Sequence, residues 1–441
     1  MDRRRYIESL TGVGMALVSA GCSGDTQSSS MTRTDTRTTT RPRSTDTPTG
    51  RETSSESVGS VSEVNAQWTH IYGDSQHRFH IPEYSGPDPP FGKVWGVNAD
   101  RHERFQPTNL FVGNSLYTNP AGTTGVSVTN GATGKHAWTG PEHHLGQGLY
   151  IQDGRYVFTY GATDPETGEV MWKDLPENDS YILNSGIDDA VYGYASTGEF
   201  VKRSLAEGSV QWRVNGTSNP TPSSNHFFRP TQAGITVGLR TSHEKPNSVV
   251  SLNRSDGAEQ WRQPLTKTGF PILAADSGVL VVDKRNLTHI QWLGAETGTP
   301  QWEKDVTMQE IPYGPGQNRF AADESTLYAI ETTSNSSQLV IAAYRLSDGK
   351  QEWTQTLTPT DAGSLTLRRS SGICSTEGRI FSRFTAVRDD NTRVNQTVCL
   401  RKTDGREQWR YDDFLYSYVT EHGMFGVFLN PPQYGFLAGS T

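Results

Sequence analysis

A glycine followed four residues later by a tryptophan recurs along this chain. It is found in "NGATGKHAW", "DPETGEVMW", "LAEGSVQW", "NRSDGAEQW", "GAETGTPQW", "RLSDGKQEW" and "RKTDGREQW". The copies end at Trp138, Trp172, Trp212, Trp261, Trp302, Trp353 and Trp409, spaced 34, 40, 49, 41, 51 and 56 residues apart. Self-similarity at such a period is the mark of a repeat architecture, in which each unit buries its apolar face against the next. The residues between the copies read as short strands with apolar and polar positions alternating. In "NRFAADESTLYAIETTSNSSQLVIAAYRLSDGKQEW" the runs "NRFAAD" and "TLYAIET" form a hairpin, "QLVIAAYRL" is a third strand and "KQEW" a fourth. Helical signatures are nearly absent, so each repeat is expected to be one four-stranded antiparallel sheet.

The glycine of each copy (Gly134, Gly168, Gly208, Gly257, Gly298, Gly349, Gly405) falls at the end of the turn between the third and fourth strands. A positive φ is expected there, and glycine tolerates it. The tryptophan then lies on the outer strand, where a large flat ring can bury area against the neighbouring sheet. An eighth copy is displaced to the front of the chain. "PPFGKVW" places Gly92 three residues before Trp95, which lies 43 residues before Trp138 and has no preceding strands of its own. After Trp409 there are 32 residues, enough for three strands, and no further tryptophan. The strand around Trp95 is therefore expected to join the last three strands and close an all-β ring, an eight-bladed β-propeller. Closure leaves only short, protected sheet edges. The short interval between Trp138 and Trp172 suggests that blade two lacks or shortens a strand. The eight tryptophans are read as packing residues.

The "TG-x-x-x-W" signature and the opening "WTHIYGDSQHRFHIPEYSGPDPPFGKVW" resemble the PQQ-like (pyrroloquinoline-quinone-like) repeat β-propeller family, over roughly residues 66 to 441. They look especially like its secreted, lipid-anchored archaeal members. The resemblance implies two kinds of function. One is quinone-dependent oxidation, with pyrroloquinoline quinone and Ca²⁺ in the central channel. The other is a non-enzymatic scaffold, such as the lipoprotein of the outer-membrane β-barrel assembly machinery. The dehydrogenases carry a vicinal Cys-Cys pair beside the quinone, and no such pair exists here. Cys374 and Cys399 are 25 residues apart, on the expected first and third strands of one blade. With a strand between them a bridge would require distortion, and both read as small buried hydrophobes.

Other chemistry is sparse. His143 and His144 are adjacent, so on a strand they would point to opposite faces; His77 and His80 fall in the entry segment. No Cys, Asp or Glu framework at ligand spacing accompanies them, and no catalytic residue is assigned. No nucleophile-elbow, zincin or P-loop pattern is present, and "GPGQ" at 314–317 is read as a turn. Sequons occur at Asn178, Asn215, Asn253, Asn286, Asn335 and Asn395, which on an exported chain are either glycan acceptors on exposed loops or chance matches. The net charge of −8 argues against nucleic acid as a partner.

The front of the chain is of another kind. Arg3, Arg4 and Arg5 precede a mildly apolar segment, Leu10 to Ala20, too short to span a bilayer but of the length of a signal h-region. The Arg4-Arg5 pair resembles a twin-arginine export signal, and "SAGC" resembles a lipobox that would make Cys22 the lipidated first residue. Ser19 departs from the aliphatic residue usual there. Residues 1–22 are thus read as a signal peptide. Of residues 23–62, 21 are Ser or Thr and none is aromatic, so 23–64 is read as a disordered tether. Residues 65–441 form the propeller. The expectation is a monomeric, surface-anchored lipoprotein, touching the membrane only through Cys22, whose loops bind an unknown protein or envelope component. The segments 241–248 and 386–397 are candidate contact loops.

Overall fold

The computed structural model describes residues 64–440, apart from 65, 69–78, 99–109, 119–125, 142–144, 147, 174–180, 196–197, 216–227, 240–247, 266–268, 284–288, 307–318, 333–337, 359–365, 388–392 and 430–431. Contacts divide the chain into Met1–Ser54 and Ser55–Thr441, and all described residues belong to the second unit. They form eight antiparallel sheets and no helix. Contacts between the first strands of blades one to seven, and packing of blade eight against blades seven and one, join the sheets into a ring with the first strands nearest its axis. This is the eight-bladed propeller expected from the repeat.

Blade one comprises Leu110–Gly113, Ser115–Thr118, Ser127–Asn130 and His136–Thr139. Blade two has all four strands, Gly148–Gln152, Arg155–Phe158, Gly161–Thr163 and Val170–Lys173. Of the two expectations for its short interval, the missing strand is not found and the shortened one is, since its third strand has three residues and tight links join the strands. Blades three to seven repeat the pattern. Blade eight pairs Asp88–Asn98 with Pro432–Ser440, followed inward by Gly423–Leu429 and Phe414–Val419, so the front of the chain does close the ring.

The repeated glycine has two duties. All seven sit at φ between +66° and +77°. In each turn the glycine amide donates to the carbonyl four residues earlier, at 2.8–2.9 Å, closing a tight connection with a left-handed last residue. The second duty links blades. A Cβ added at Gly134, Gly208, Gly257, Gly298, Gly349 or Gly405 would lie 2.2–2.9 Å from the indole of the preceding blade's tryptophan. At Gly168 the neighbours are Gly140 and Trp138, at 2.8 and 3.0 Å. The indole therefore lies flat on the turn, where only glycine leaves room.

The ring nitrogen completes the joint. Nε1 of Trp95, Trp172, Trp212, Trp261, Trp302 and Trp353 donates to the carbonyl of Gly131, Leu205, Arg254, Ala295, Leu346 and Lys402, at 2.6–3.2 Å. Each acceptor lies three residues before the glycine that the same ring covers. One repeated motif thus supplies both turn and inter-blade seam.

Candidate functional site: the axial side and the loop face

Antiparallel pairing puts two classes of link at opposite ends of the strands. First-to-second and third-to-fourth connections emerge on one face, where they are short and uniform, as in Asp153–Gly154 and Asp188–Asp189. Carboxylates outnumber bases among these turns. Second-to-third and fourth-to-first connections emerge on the other face and vary widely, from Asp413 alone to the stretches 216–227 and 306–319. The first may be named the turn face and the second the loop face. A rigid ring presenting diverse loops on one side is the usual arrangement for recognition.

At blades one and seven the axial edge is taken up by the chain itself. Ala66–Trp68 pairs antiparallel with the first strand of blade one, in the register Ala66↔Gly113, Gln67↔Val112 and Trp68↔Phe111. His80–Ile81 pairs in parallel with the first strand of blade seven, His80 opposite Ser375 and Ile81 opposite Thr376. Both therefore lie on the axial edge of their blades, with blade eight between them. Val64, Ala66, Ile81 and Tyr84 are buried in one cluster with Phe111 of blade one and Tyr418, Val419 and Phe425 of blade eight.

Hydrogen bonds follow the path. The Val64 amide donates to Asn114 Oδ1 at 2.6 Å, and the Ser375 amide to the Phe79 carbonyl at 2.9 Å. His80 Nδ1 lies 2.9 Å from Ser375 Oγ. Beyond it the fastening tightens. Tyr84 donates its hydroxyl to the Val419 carbonyl at 2.6 Å, and Arg379 donates to the carbonyls of Gly86 and Pro87 and to Asp88. Asn114 stands in a first-to-second turn, so the chain enters the propeller at the turn face.

The two cysteines are free and buried. Cys374 and Cys399 both pair with Phe381, one from each side, so a strand separates them as expected. Two strand spacings amount to about 10 Å, well beyond disulfide reach. Burial pushes the Cys374 thiol up to about 12 and raises that of Cys399 as well, which leaves neither as a nucleophile at neutral pH. Beside Cys374 the Arg383 guanidinium lies 5.4 Å from the Tyr416 ring centre and donates to the Tyr416 carbonyl. Burial lowers its pKa and lifts that of Tyr416. The Tyr416 hydroxyl donates to the Phe381 carbonyl at 2.7 Å, so it is spent on structure.

Trp95, Trp138, Trp172, Trp212, Trp261, Trp302, Trp353 and Trp409 all lie on fourth strands. Asn215 is exposed at a strand end, whereas Asn253 turns its side chain onto the Ser255 amide and hydroxyl. Asn395 is 3% exposed and its Oδ1 accepts from Thr385, which leaves no room for a glycan on the folded chain. Within 386–397, strand covers 386–387 and 393–397, so only 388–392 remains as link. His80 falls in a short strand rather than an irregular stretch. Cys22, His77, His143, His144, Asn178, Asn286, Asn335 and most of 241–248 lie outside the described residues.

Residues 201–366 match a family model described as outer membrane protein assembly factor BamB. Over that stretch the chain is similar to the PQQ-like repeat propellers. Its fold is similar to quinohemoprotein alcohol dehydrogenase ADHIIG from Pseudomonas putida HK5, with a TM-score of 0.53, 11% identity, and coverage of 86% of this chain and 81% of that one. Quinohemoprotein alcohol dehydrogenase from Comamonas testosteroni is similar at a TM-score of 0.51 and 10% identity, covering 86% and 82%. At these identities the likeness concerns the fold alone. No curated protein sequence matches the chain.

In this propeller the described residues do not fit a quinone with its metal. No group of three His, Cys, Asp or Glu side chains among them could hold an ion. The cysteines are apart and protonated, and backbone of the chain's own front segment occupies the axial edges of blades one and seven.

Proposed function

We propose that this propeller is an exported lipoprotein, anchored at the cell surface through Cys22, that acts as a non-enzymatic binding scaffold for a protein or envelope component. The observation that carries the reading is the pairing of the chain's own front segment on the axial edges of blades one and seven. With those two edges taken, the loop face, which holds the most varied connections, is the face left for recognition.

The sequence supports the anchor, since "SAGC" ends at Cys22 and a Ser/Thr-rich spacer follows it. The carboxylate-rich turns disfavour close approach of the turn face to anionic headgroups.

The test is a titration of the purified chain with pyrroloquinoline quinone and Ca²⁺, read by tryptophan fluorescence and melting temperature. No change is expected at cofactor concentrations well above micromolar. Saturable binding with a raised melting temperature would replace the scaffold with a quinone-dependent oxidoreductase.

A further inference from the structure

The strands within blade seven pair over long ladders, as between Arg379–Val387 and Arg393–Arg401, which match at nine positions. Among the described residues of the front segment, Ala66–Trp68 pairs at three positions and His80–Ile81 at two. An edge strand offers a row of backbone donors and acceptors to any extended chain that reaches it. Here the blade-one edge takes an antiparallel strand and the blade-seven edge a parallel one. Phe79, between the two pairings, has φ of +53°, a left-handed conformation unfavourable for so large a side chain.

The fastening is also graded along the chain. Residues 84–88 are tied by Tyr84 to Val419 and by Arg379 to Gly86, Pro87 and Asp88. They lead directly into the ring-closing strand Asp88–Asn98. Release of the strands 66–68 and 80–81 therefore leaves closure intact.

We propose that the axial edges of blades one and seven form a binding site for an extended polypeptide strand, occupied in cis by residues 64–68 and 79–81 and open to a partner's strand by exchange. The inference rests on the scaffold reading and names how a protein partner is held. Backbone pairing supplies the affinity, as in strand addition to a sheet edge. The buried positions of Ala66 and Ile81 call for small or branched apolar side chains on the incoming strand.

The test uses the full chain. A fluorescein-labelled peptide of residues 62–84 is titrated into the wild type and into the single variants Trp68→Pro and Ile81→Asp. The first removes a ladder donor, and the second puts a charge in the apolar seat. Binding at least ~10-fold tighter to the variants than to the wild type is expected, since the cis segment competes less. Equal binding, or none, with the variants folded would overturn the proposal. Should the variants fail to fold, hydrogen exchange of the wild type decides. The Ser375 amide, which donates to Phe79, is expected to exchange ~100-fold faster than amides in 379–387 through local opening. Equal protection would mean that the segment is an integral strand and would overturn the proposal. Loss of the strand site with no quinone binding leaves the scaffold reading intact on another face. Saturable quinone binding removes that reading whatever the peptide does.

Discussion

The seam between blades five and six and the seam between blades seven and eight use the same side chain and end differently. Trp302 lies flat on Gly349 and donates to the Leu346 carbonyl at 2.7 Å, because one continuous hairpin brings glycine and acceptor together. Trp409 faces a blade whose third and fourth strands come from opposite ends of the chain, so no such hairpin exists. Its ring packs edge-on against Phe91, centres 4.7 Å apart, and its buried Nε1 has no hydrogen-bond partner. Where the turn is covalent, a specific joint repeats. Where the ring closes, aromatic packing by Phe91, Phe381 and Tyr411 takes its place.

The strongest way to break a repeated seam is to fill its glycine. Gly298→Val forces a β-branched residue to φ of +66° and puts Cβ 2.2 Å from the Trp261 ring. A loss of about 4 kcal/mol is expected in denaturant melts, from backbone strain and overpacking together. Gly92→Val at the closing seam should cost far less, since no repeat turn is formed there. Equal losses would erase the distinction between the seams.

Next comes the seam between blades six and seven, which carries an added electrostatic latch. Asp323 in a turn of blade six lies 2.8 Å from Lys402 Nζ in a turn of blade seven, and accepts from Tyr328. Burial alone would raise the pKa of Asp323, but the bond and charge of Lys402, with two backbone donors, hold it at about 2 against an ordinary 3.8. A carboxylate with a depressed folded pKa stabilises fully above about pH 4 and loses that contribution as the pH falls towards 2. Asp323→Asn should cost about 2 kcal/mol at pH 7 and almost nothing near pH 2, measured by melts across that range. A pH-independent loss would show that packing, not charge, holds the latch.

The smallest effect sharpens the comparison most. Trp302→Phe removes a satisfied indole bond and should cost about 1 kcal/mol beyond the loss of ring area. Trp409→Phe removes a donor that has no acceptor, so that extra cost should be absent. Matching losses would mean that the hydrogen bond contributes nothing at the repeated seams.

Much of this was legible in the sequence because one motif serves two needs. Gly134 and its counterparts satisfy a left-handed turn and an indole contact, so the pattern marks strand order, blade number and seams together. Trp95, stranded at the front, betrayed the closure. The tight links of blade two were not legible, because a short interval fits a missing strand as well as short strands. Nor were the axial strands. Residues 66–68 and 80–81 carry no repeat signature, and pairing over three and two positions leaves almost no periodic pattern to read. Asn395 looks like any other sequon until the third strand of blade seven buries it. Because no catalytic motif was present, the site could be found only from the arrangement of faces and edges.

The most direct test of the covered axial side is a cross-link. Gln67 and Val112 are opposed on the strand from the front segment and the first strand of blade one. The full chain carrying Gln67→Cys and Val112→Cys should form that disulfide rapidly and almost completely under mild oxidation, while buried Cys374 and Cys399 stay unreactive until the chain unfolds. Failure of the pair to bridge in the folded protein would mean that the front segment does not line the axis, and the reading built on a covered axial side would fall with it.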